Sequence, residues 1–273
     1  MRVRGVHLFL PLFGLAFGSL TALAGPLAVR PEAVAWLIEA DGAIVSAGNE
    51  HARLAPASLT KMMTVLIALE SAQLTDNVRI NKAVEGETGY RIGLKAGEEL
   101  RIVDLAAAAV IGSANDAARA LAEHVGGNEK KFVKLMNDRA KKMGLADTCF
   151  TNSSGHDAKG HYSSAFDLAI IANEAMKNPS YAELASMVDL EIRTKAGRAM
   201  KFDNKNQLIG RCPGVIGVKS GTTPNAGQSL IALAQRDGRR VLLVLLGAKE
   251  RWYQSEALFN EVFAWIPTAS GKR

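Results

Sequence analysis

The 273-residue chain is 48% hydrophobic and 22% charged, a composition that is typical of a globular protein with a full core and excludes a disordered or fibrous chain. Its formal net charge of +6 is modest, and no lysine and arginine cluster is interleaved with aromatic residues, which excludes a nucleic-acid partner. Two cysteines are too few for a disulfide scaffold and lack metal-ligand spacing, so we expect no metal and no cofactor. Spacing alone does not decide whether Cys149 and Cys212 pair with each other.

The N-terminus has the pattern of a secretory signal peptide. Arg2 and Arg4 precede an apolar run over residues 8–23, and small residues occupy the two positions that a signal peptidase requires. We therefore expect residues 1–24 to be removed. Residues 25–273 would then form a single domain that is secreted to the periplasm or the extracellular space, without a transmembrane helix. An uncleaved membrane anchor is the alternative, because the run is nearly long enough to span a bilayer.

The first predicted elements are a β-hairpin and a helix. Residues 34–45 contain two apolar segments around an Asp-Gly turn, which favours an antiparallel pair of strands. A turn led by Pro56 then runs into apolar residues at helical spacing. This pattern predicts a helix that begins near Ser58 and ends near residues 72–75.

The middle of the chain is predicted to be helical. A charged stretch with several glycines, residues 85–99, favours short strands and surface turns, whereas an alanine-rich run predicts helices over 105–111 and 116–125. Further helices fit residues 129–143 and 163–176, and an Asn-Pro pair ends the second of these patterns.

Strands return toward the C-terminus. A short hairpin fits residues 191–202, strands fit residues 215–219, 229–235 and 241–246, and a closing helix fits residues 252–265. Strands from both ends of the chain must then meet in one antiparallel sheet, while the middle helices form a second lobe. The predicted fold is α/β in the broad sense (α+β): an antiparallel sheet flanked by helices, plus a helical lobe, with a cleft between them.

Ser58 and Lys61 lie three residues apart at the start of a predicted helix. This spacing brings two side chains to one helix face, so a hydroxyl and an amine would meet. A hydroxyl becomes a useful nucleophile when a base takes its proton. A lysine acts as that base near neutral pH only if burial or a nearby cation lowers its pKa. The alternative interpretation is an N-cap serine followed by a solvated lysine.

Two further clusters have residue types that suit the same cleft. Ser113, Ala114 and Asn115 stand at the break between two predicted helices, and Lys219 to Thr222 end a predicted strand. Each cluster has an ordinary structural interpretation, as a helix cap or as a glycine turn at a strand end. Their joint occurrence with Ser58 and Lys61, in this order, is rare by chance.

Together the three clusters resemble the penicillin-recognising serine enzymes, in which Ser-x-x-Lys, Ser-x-Asn and Lys-Thr/Ser-Gly motifs occur in this order. The sequence is most similar to one branch, the low-molecular-weight D-alanyl-D-alanine carboxypeptidases of bacterial cell walls. Ser220 departs from the family pattern because threonine is usual there, and Phe166 stands where arginine is common. The segments that carry the resemblance are residues 56–64, 113–118, 160–165 and 214–222.

The resemblance implies a β-lactamase/transpeptidase-like fold and a set of roles. Ser58 would attack the carbonyl between two terminal D-alanines to form an acyl-enzyme, Lys61 would accept its proton, and Ser113 would relay a proton to the leaving amine. Lys219 would help to lower the pKa of Lys61, and the backbone N–H groups of Ser58 and Thr222 would form the oxyanion hole. The implied partners are peptidoglycan stem peptides, with β-lactam antibiotics as covalent inhibitors. The residues implied to bind substrate are Asn115, Lys219, Ser220, Gly221 and Thr222.

Three other functions compete with this interpretation. A class A β-lactamase needs a glutamate in a Glu-x-x-Asn loop, and none occurs between Asn115 and Lys219, which disfavours that activity. A D,D-endopeptidase would apply the same chemistry to peptidoglycan cross-links. A penicillin-binding sensor would be acylated without turnover.

Four further residues are set apart from the motifs. Arg251 is a weaker candidate for binding a carboxylate, because no motif supports it. His124, His156 and His161 lack metal-ligand spacing with a carboxylate or cysteine, so we expect them at surface or loop positions.

Overall fold

The computed structural model of the protein describes residues 30–266. The predicted signal peptide lies outside the described residues, so its removal stays a prediction. The strands are β1 (Ala35–Ala40), β2 (Ala43–Gly48), β3 (Asn77–Arg79), β4 (Glu99–Arg101), β5 (Asp189–Arg193), β6 (Ala199–Asp203), β7 (Val215–Thr223), β8 (Gly227–Arg236) and β9 (Arg239–Ala248).

The central sheet draws its strands from both ends of the chain. Its order is β2-β1-β9-β8-β7, and each neighbouring pair is antiparallel. β1 pairs with β9, with Ala35 opposite Leu246. The short pairs β3-β4 and β5-β6 form two separate ribbons. The predicted sheet and its hairpins are therefore confirmed.

The sheet is covered on both faces, which explains why β8 and β9 are almost continuously apolar. Along β8, Ile231 and Leu233 belong to the core shared with the helical lobe, whereas Leu230 and Ala232 belong to a second core on the opposite face. The C-terminal helix, Arg251–Trp265, closes that second core with Phe259. Alternate residues of one strand thus support two different layers.

The helical lobe packs around one buried helix. The first helix, Lys61–Ser71, is buried from Lys61 to Ala68, and alanines on its neighbours permit close approach. The helices are α1 (Lys61–Ser71), α2 (Lys82–Glu85), α3 (Ile102–Val110), α4 (Asn115–Gly126), α5 (Glu129–Lys142), α6 (Ala165–Lys177), α7 (Pro179–Ser186) and α8 (Arg251–Trp265). Within residues 30–266, no helix combines the length and apolar character that crossing a membrane requires.

The structure differs from the sequence prediction in two places. Asn178 and Pro179 end α6 but also begin α7, because Asn178 Oδ1 accepts a hydrogen bond from the backbone N–H of Tyr181 and proline fits the first helical position. The stretch 85–99 contains the predicted turns but none of the predicted short strands before β4 begins at Glu99. After the single turn α2, an irregular loop over residues 86–98 leads to β4.

Candidate active site

A cavity of about 480 Å³ lies between β7 and the helical lobe. It collects residues from all three sequence clusters, although they are up to 164 positions apart in the chain. Lys61 and Lys219 lie beneath its surface, fully or almost fully buried. The predicted site residues that line it are Ser58, Ser113, Asn115, Ser220, Gly221 and Thr222.

Ser58 and Lys61 meet as their spacing predicts. Ser58 lies in a 3₁₀ turn, Ala57–Thr60, that continues directly into α1, and Lys61 Nζ is 2.9 Å from Ser58 Oγ. Ala57 has a positive φ of 49°, which is unusual for a residue with a Cβ and marks backbone strain beside the serine.

The surroundings of Lys61 favour a neutral amine. Its Nζ lies 2.7 Å from Asn115 Oδ1 and 2.6 Å from the carbonyl oxygen of Ser154. Burial lowers the pKa of Lys61 to about 7, although the charges of Glu87 and Asp116 act to raise it. A neutral amine has two protons for those two acceptors, so its lone pair points to Ser58 Oγ. The arrangement therefore lets Lys61 take the serine proton near neutral pH.

The N-terminus of α4 fixes the loop over residues 86–98 against the cleft. The buried Asp116 carboxylate accepts backbone N–H groups of Ile92, Gly93 and Leu94 at 2.9–3.2 Å. Asn115 binds the same loop, because its Nδ2 donates to the Thr88 carbonyl oxygen at 2.8 Å. The loop thereby orients the amide whose oxygen accepts from Lys61.

Ser113 and Lys219 form a second hydroxyl and amine pair. Ser113 Oγ lies 2.9 Å from Lys219 Nζ, which also donates to the Ser220 carbonyl oxygen. Ser113 has a φ of 62°, a left-handed conformation that aims its side chain from the break between α3 and α4. Burial, followed by the charges of Lys61, Arg251 and Lys205, lowers the pKa of Lys219 well below its ordinary value. For Lys61 burial is the cause that lowers the pKa, and Lys219 is not among the groups that shift it, contrary to the expectation from the family resemblance.

The end of β7 packs against the turn that holds Ser58. A Cβ at Gly221 would lie 3.0 Å from Ala57 Cβ and 3.0 Å from the Ser58 backbone nitrogen, so glycine permits this approach. Ser220 Oγ donates to the Lys205 carbonyl oxygen at 3.1 Å and is thus held at the cleft wall.

Arg251 reaches the cleft from the start of α8. Its Nη1 donates to the Gly221 carbonyl oxygen at 2.7 Å and lies 2.9 Å from Thr222 Oγ1, while its guanidinium stacks over Trp252. Burial lowers the pKa of Arg251. The structure therefore supports the weaker sequence candidate as a site residue.

Two of the three histidines lie in loops, which is one of the two settings expected for them, but neither is an isolated surface residue. His161 is buried rather than at the surface: its Nε2 lies 2.9 Å from Thr60 Oγ1, and burial lowers its pKa to about 4, so a neutral ring supports the 3₁₀ turn. His156 lines the cavity beside Asn115 and contacts Glu87. Sequence spacing gave no sign of this pair, which is 69 residues apart.

The cleft also contains a cation and aromatic pair that the sequence motifs missed. Lys205 Nζ lies 4.5 Å from the ring centre of Tyr90, and both residues line the cavity. Away from the cleft, Cys149 and Cys212 are free thiols and do not form a disulfide.

Comparison with known proteins gives concordant matches. The peptidase S11 family, described as D-alanyl-D-alanine carboxypeptidase, matches residues 25–250. D-alanyl-D-alanine carboxypeptidase DacF of Bacillus subtilis is 37% identical, and the match covers 86% of this chain and 62% of that protein. DacC of Escherichia coli is 34% identical over 95% of this chain and 70% of its own length. The chain thus spans less than two thirds of the Bacillus relative.

Solved structures with the same architecture support these matches. The carboxypeptidase from Mycobacterium tuberculosis H37Rv is 29% identical with a TM-score of 0.83, covering 89% of this chain and 95% of that chain. The DD-transpeptidase of Streptomyces K15 is 27% identical with a TM-score of 0.80, covering 86% of this chain and 98% of that chain. The predicted β-lactamase/transpeptidase-like fold is therefore confirmed.

Proposed function

This chain belongs to the peptidase S11 family of D-alanyl-D-alanine carboxypeptidases, and from that membership we propose that it is a serine-type D-alanyl-D-alanine carboxypeptidase. It removes the terminal D-alanine from peptidoglycan pentapeptides through an acyl-enzyme on Ser58, and β-lactams acylate the same serine. The observation that carries the proposal is the 2.9 Å contact between Ser58 Oγ and a buried lysine whose pKa is about 7.

Acylation begins with proton transfer from Ser58 to Lys61. As Oγ attacks the carbonyl carbon, the lone pair on Lys61 Nζ accepts the hydroxyl proton, while Asn115 and Ser154 hold the amine in place. The backbone N–H groups of Ser58 and Thr222 donate to the developing oxyanion. Such a donor contributes about 3 kcal/mol in other hydrolases.

The leaving amine receives its proton through Ser113. Its hydroxyl faces Lys219 Nζ at 2.9 Å. The serine passes one proton to D-alanine and recovers the proton that Lys61 took from Ser58, so both lysines end the step as they began it. Arg251 supplies positive charge at the end of β7, and Lys219 and Ser220 supply hydrogen-bond donors, which suits the terminal carboxylate of the substrate. The peptide itself adds as a strand along β7, where Gly221 gives it room.

Acyl transfer to an amine instead of water is a second candidate. One observation favours it: the match to a DD-transpeptidase covers 98% of that protein. Both activities share the acyl-enzyme and differ in the acceptor. Adding a D-amino acid to the reaction separates them, because a transpeptidase gives a product in which the amino acid replaces the terminal D-alanine.

The site of action follows from the sequence pattern at the N-terminus. Residues 1–24 direct export and are removed, and the single domain that follows acts outside the cytoplasmic membrane, where stem peptides and β-lactams are both accessible. N-terminal sequencing of the protein secreted by its native host tests this part, and a mature chain that still begins at Met1 contradicts it.

The activity is tested by release of D-alanine from pentapeptide muropeptides. We expect release by the wild-type protein, none by Ser58→Ala, and attachment of labelled penicillin to the peptide that contains Ser58. Mass spectrometry of cross-linked muropeptides in the same assay distinguishes an endopeptidase. Labelling at any other residue contradicts the proposed nucleophile.

A further inference from the structure

His156 forms a hydrogen-bonded pair with a glutamate on the wall of the cleft. Its Nε2 lies 2.8 Å from Glu87 Oε1, and the glutamate side chain is 9% exposed whereas that of the histidine is 37% exposed. Glu87 Oε1 also accepts the backbone N–H of Thr88 at 2.9 Å, and Arg119 Nη1 lies 3.8 Å from the other oxygen. Neither member of the pair touches the reacting atoms in the acylation steps, although the charge of Glu87 acts to raise the pKa of Lys61.

The contacts of Glu87 determine which ring nitrogen of His156 carries a proton. Burial by itself would raise the pKa of Glu87, but hydrogen bonds from His156 and Thr88, with the charge of Arg119, outweigh burial and lower it. The carboxylate only accepts hydrogen bonds, so Nε2 is the donor and the lone pair of a neutral ring is on Nδ1. Asn115 Nδ2 is 3.4 Å from Nε2 but donates to the Thr88 carbonyl oxygen at 2.8 Å.

The lone pair on His156 Nδ1 is unused within the described chain. No residue between 30 and 266 forms a hydrogen bond with this nitrogen, and the ring borders the cavity that also contains Ser58. A base with a free lone pair on the wall of an open, polar cleft has water as its ordinary partner.

The loop around His156 is fixed beside the nucleophile. Asn152 Oδ1 accepts the backbone N–H groups of Gly155 at 2.7 Å and His156 at 3.0 Å. Gly155 has a φ of 92°, and a Cβ there would lie 1.9 Å from the Ala57 carbonyl oxygen and 3.0 Å from the Ser58 nitrogen. The main chain beside the histidine thus touches the turn that holds the serine.

We propose that His156, oriented by Glu87, is the general base that activates water for hydrolysis of the Ser58 acyl-enzyme. The inference rests on the proposed function, since it concerns the second half of that reaction. Lys61 serves acylation. A separate base on the opposite side of Asn115 gives the enzyme a route to hydrolysis that does not depend on the acylation base.

Hydrolysis of the acyl-enzyme consumes one water molecule. A water molecule loses one proton to His156 Nδ1 while its oxygen forms a bond to the acyl carbon, and Glu87 stabilises the resulting imidazolium. The tetrahedral adduct collapses when the bond between carbon and Ser58 Oγ breaks. The remaining water proton restores the serine hydroxyl, the peptide leaves as a carboxylate, and His156 releases its proton to solvent.

The test separates the two halves of the reaction. Acylation is measured as the rate at which labelled penicillin attaches to Ser58. Deacylation is measured by intact mass spectrometry, as the fraction of enzyme that carries the acyl group during turnover of a tripeptide ending in D-Ala-D-Ala. The variants are His156→Gln and Glu87→Gln, and His124→Gln is the matched control because His124 is exposed and does not line the cavity.

We expect His156→Gln to slow deacylation about 100-fold, so that acyl-enzyme accumulates, while penicillin attaches at a rate within two-fold of wild type. Glu87→Gln should slow deacylation less, about 10-fold, because the amide oxygen still accepts from Nε2 but leaves the imidazolium without its counter-charge. The control should match wild type.

Three results overturn the proposal. Unchanged acyl-enzyme occupancy in His156→Gln shows that another group activates water. An equal fall in acylation and deacylation shows that His156 only shapes the cleft. If His156→Gln is acylated faster by substrates that carry fewer carboxylates, the residue serves substrate binding and not deacylation. If wild-type Ser58 is not acylated at all, the proposed function itself fails, which is a different outcome.

Discussion

Lys61 Nζ donates to the carbonyl oxygen of Ser154 across 2.6 Å, although 93 residues separate the two in the chain. That oxygen is itself held in place, because the neighbouring Ser153 donates through its N–H and Oγ to Glu129 and accepts from Thr64 Oγ1. The orientation of the amine that serves Ser58 is thus fixed by a loop from a distant part of the chain.

Replacement of Lys61 by methionine should abolish acylation with little change in fold. Methionine approximates the volume of the buried chain but has no basic nitrogen, and loss of a general base costs about 100-fold to 10,000-fold in rate. The carbonyl oxygen of Ser154 also loses its donor, so above pH 10.5, where Lys61 is neutral in the folded and the unfolded chain alike, the free energy of unfolding should fall by about 1–3 kcal/mol. Penicillin attachment and denaturant unfolding measure the two effects, with exposed Lys141→Met as the control. Acylation at the wild-type rate would exclude Lys61 as the base.

Acylation should depend on pH with a midpoint at about 7. Lys61 acts as a base only when it is deprotonated, so the rate rises as the pH passes its pKa of about 7 and then levels off. Because the pKa is lowered in the folded state, the unfolded chain binds more protons between pH 7 and 10.5, and this residue's contribution to stability increases across that window. Stopped-flow labelling with penicillin checks the first effect, and a midpoint near 10 would contradict it.

Asp116→Asn should destabilise the protein and lower the pH midpoint of acylation. The asparagine keeps one acceptor oxygen but brings an NH₂ group toward backbone N–H donors of residues 92–94, at a cost of about 1.5–3 kcal/mol. Since the charge of Asp116 raises the pKa of Lys61, its removal should lower the pKa and move the rise in acylation to lower pH. Denaturant midpoints and pH profiles provide the measurements. Asp138→Asn, in an exposed ion pair with Lys134, is the control.

Gly221→Ala should impair acylation more than stability. The new Cβ would lie 3.0 Å from Ala57 Cβ and 3.0 Å from the Ser58 nitrogen, so the turn that holds the nucleophile must move. A displacement of this kind should cost about 10-fold to 100-fold in the rate of penicillin attachment. Gly86→Ala is the comparison, since its Cβ would be 3.4 Å from the nearest atom, the Lys82 carbonyl oxygen, at an ordinary φ. Equal rates for both variants would show that the approach of β7 is not limiting.

The elements that the sequence predicted correctly are those marked by patterns of neighbouring residues. The hairpin around residues 34–45 and the contact of Ser58 with Lys61 depend on period and spacing, which the chain displays directly. The helix α7 was missed because an Asn-Pro pair marks both an end and a beginning. Local pattern therefore determines elements, but it does not resolve every boundary between them.

The features that the sequence did not predict depend on contacts between distant residues. The loop over residues 86–98 takes its shape from the Asp116 carboxylate, 22–24 positions later, and no strand or turn rule contains that contact. His156 was set aside because it lacked metal-ligand spacing, and its partner Glu87 is 69 residues away. The lowered pKa of Lys61 results from burial, and burial is known only once the chain is folded.

The pairing of β1 with β9 has a consequence for how the protein reaches its native state. These neighbouring strands are about 200 positions apart in the chain. β1 therefore lacks its partner β9 until nearly all of the polypeptide is available. A nascent chain emerging from the ribosome therefore has no finished scaffold on which to assemble the cleft. The central sheet is therefore completed only after β9 has been synthesised, late in the production of the chain.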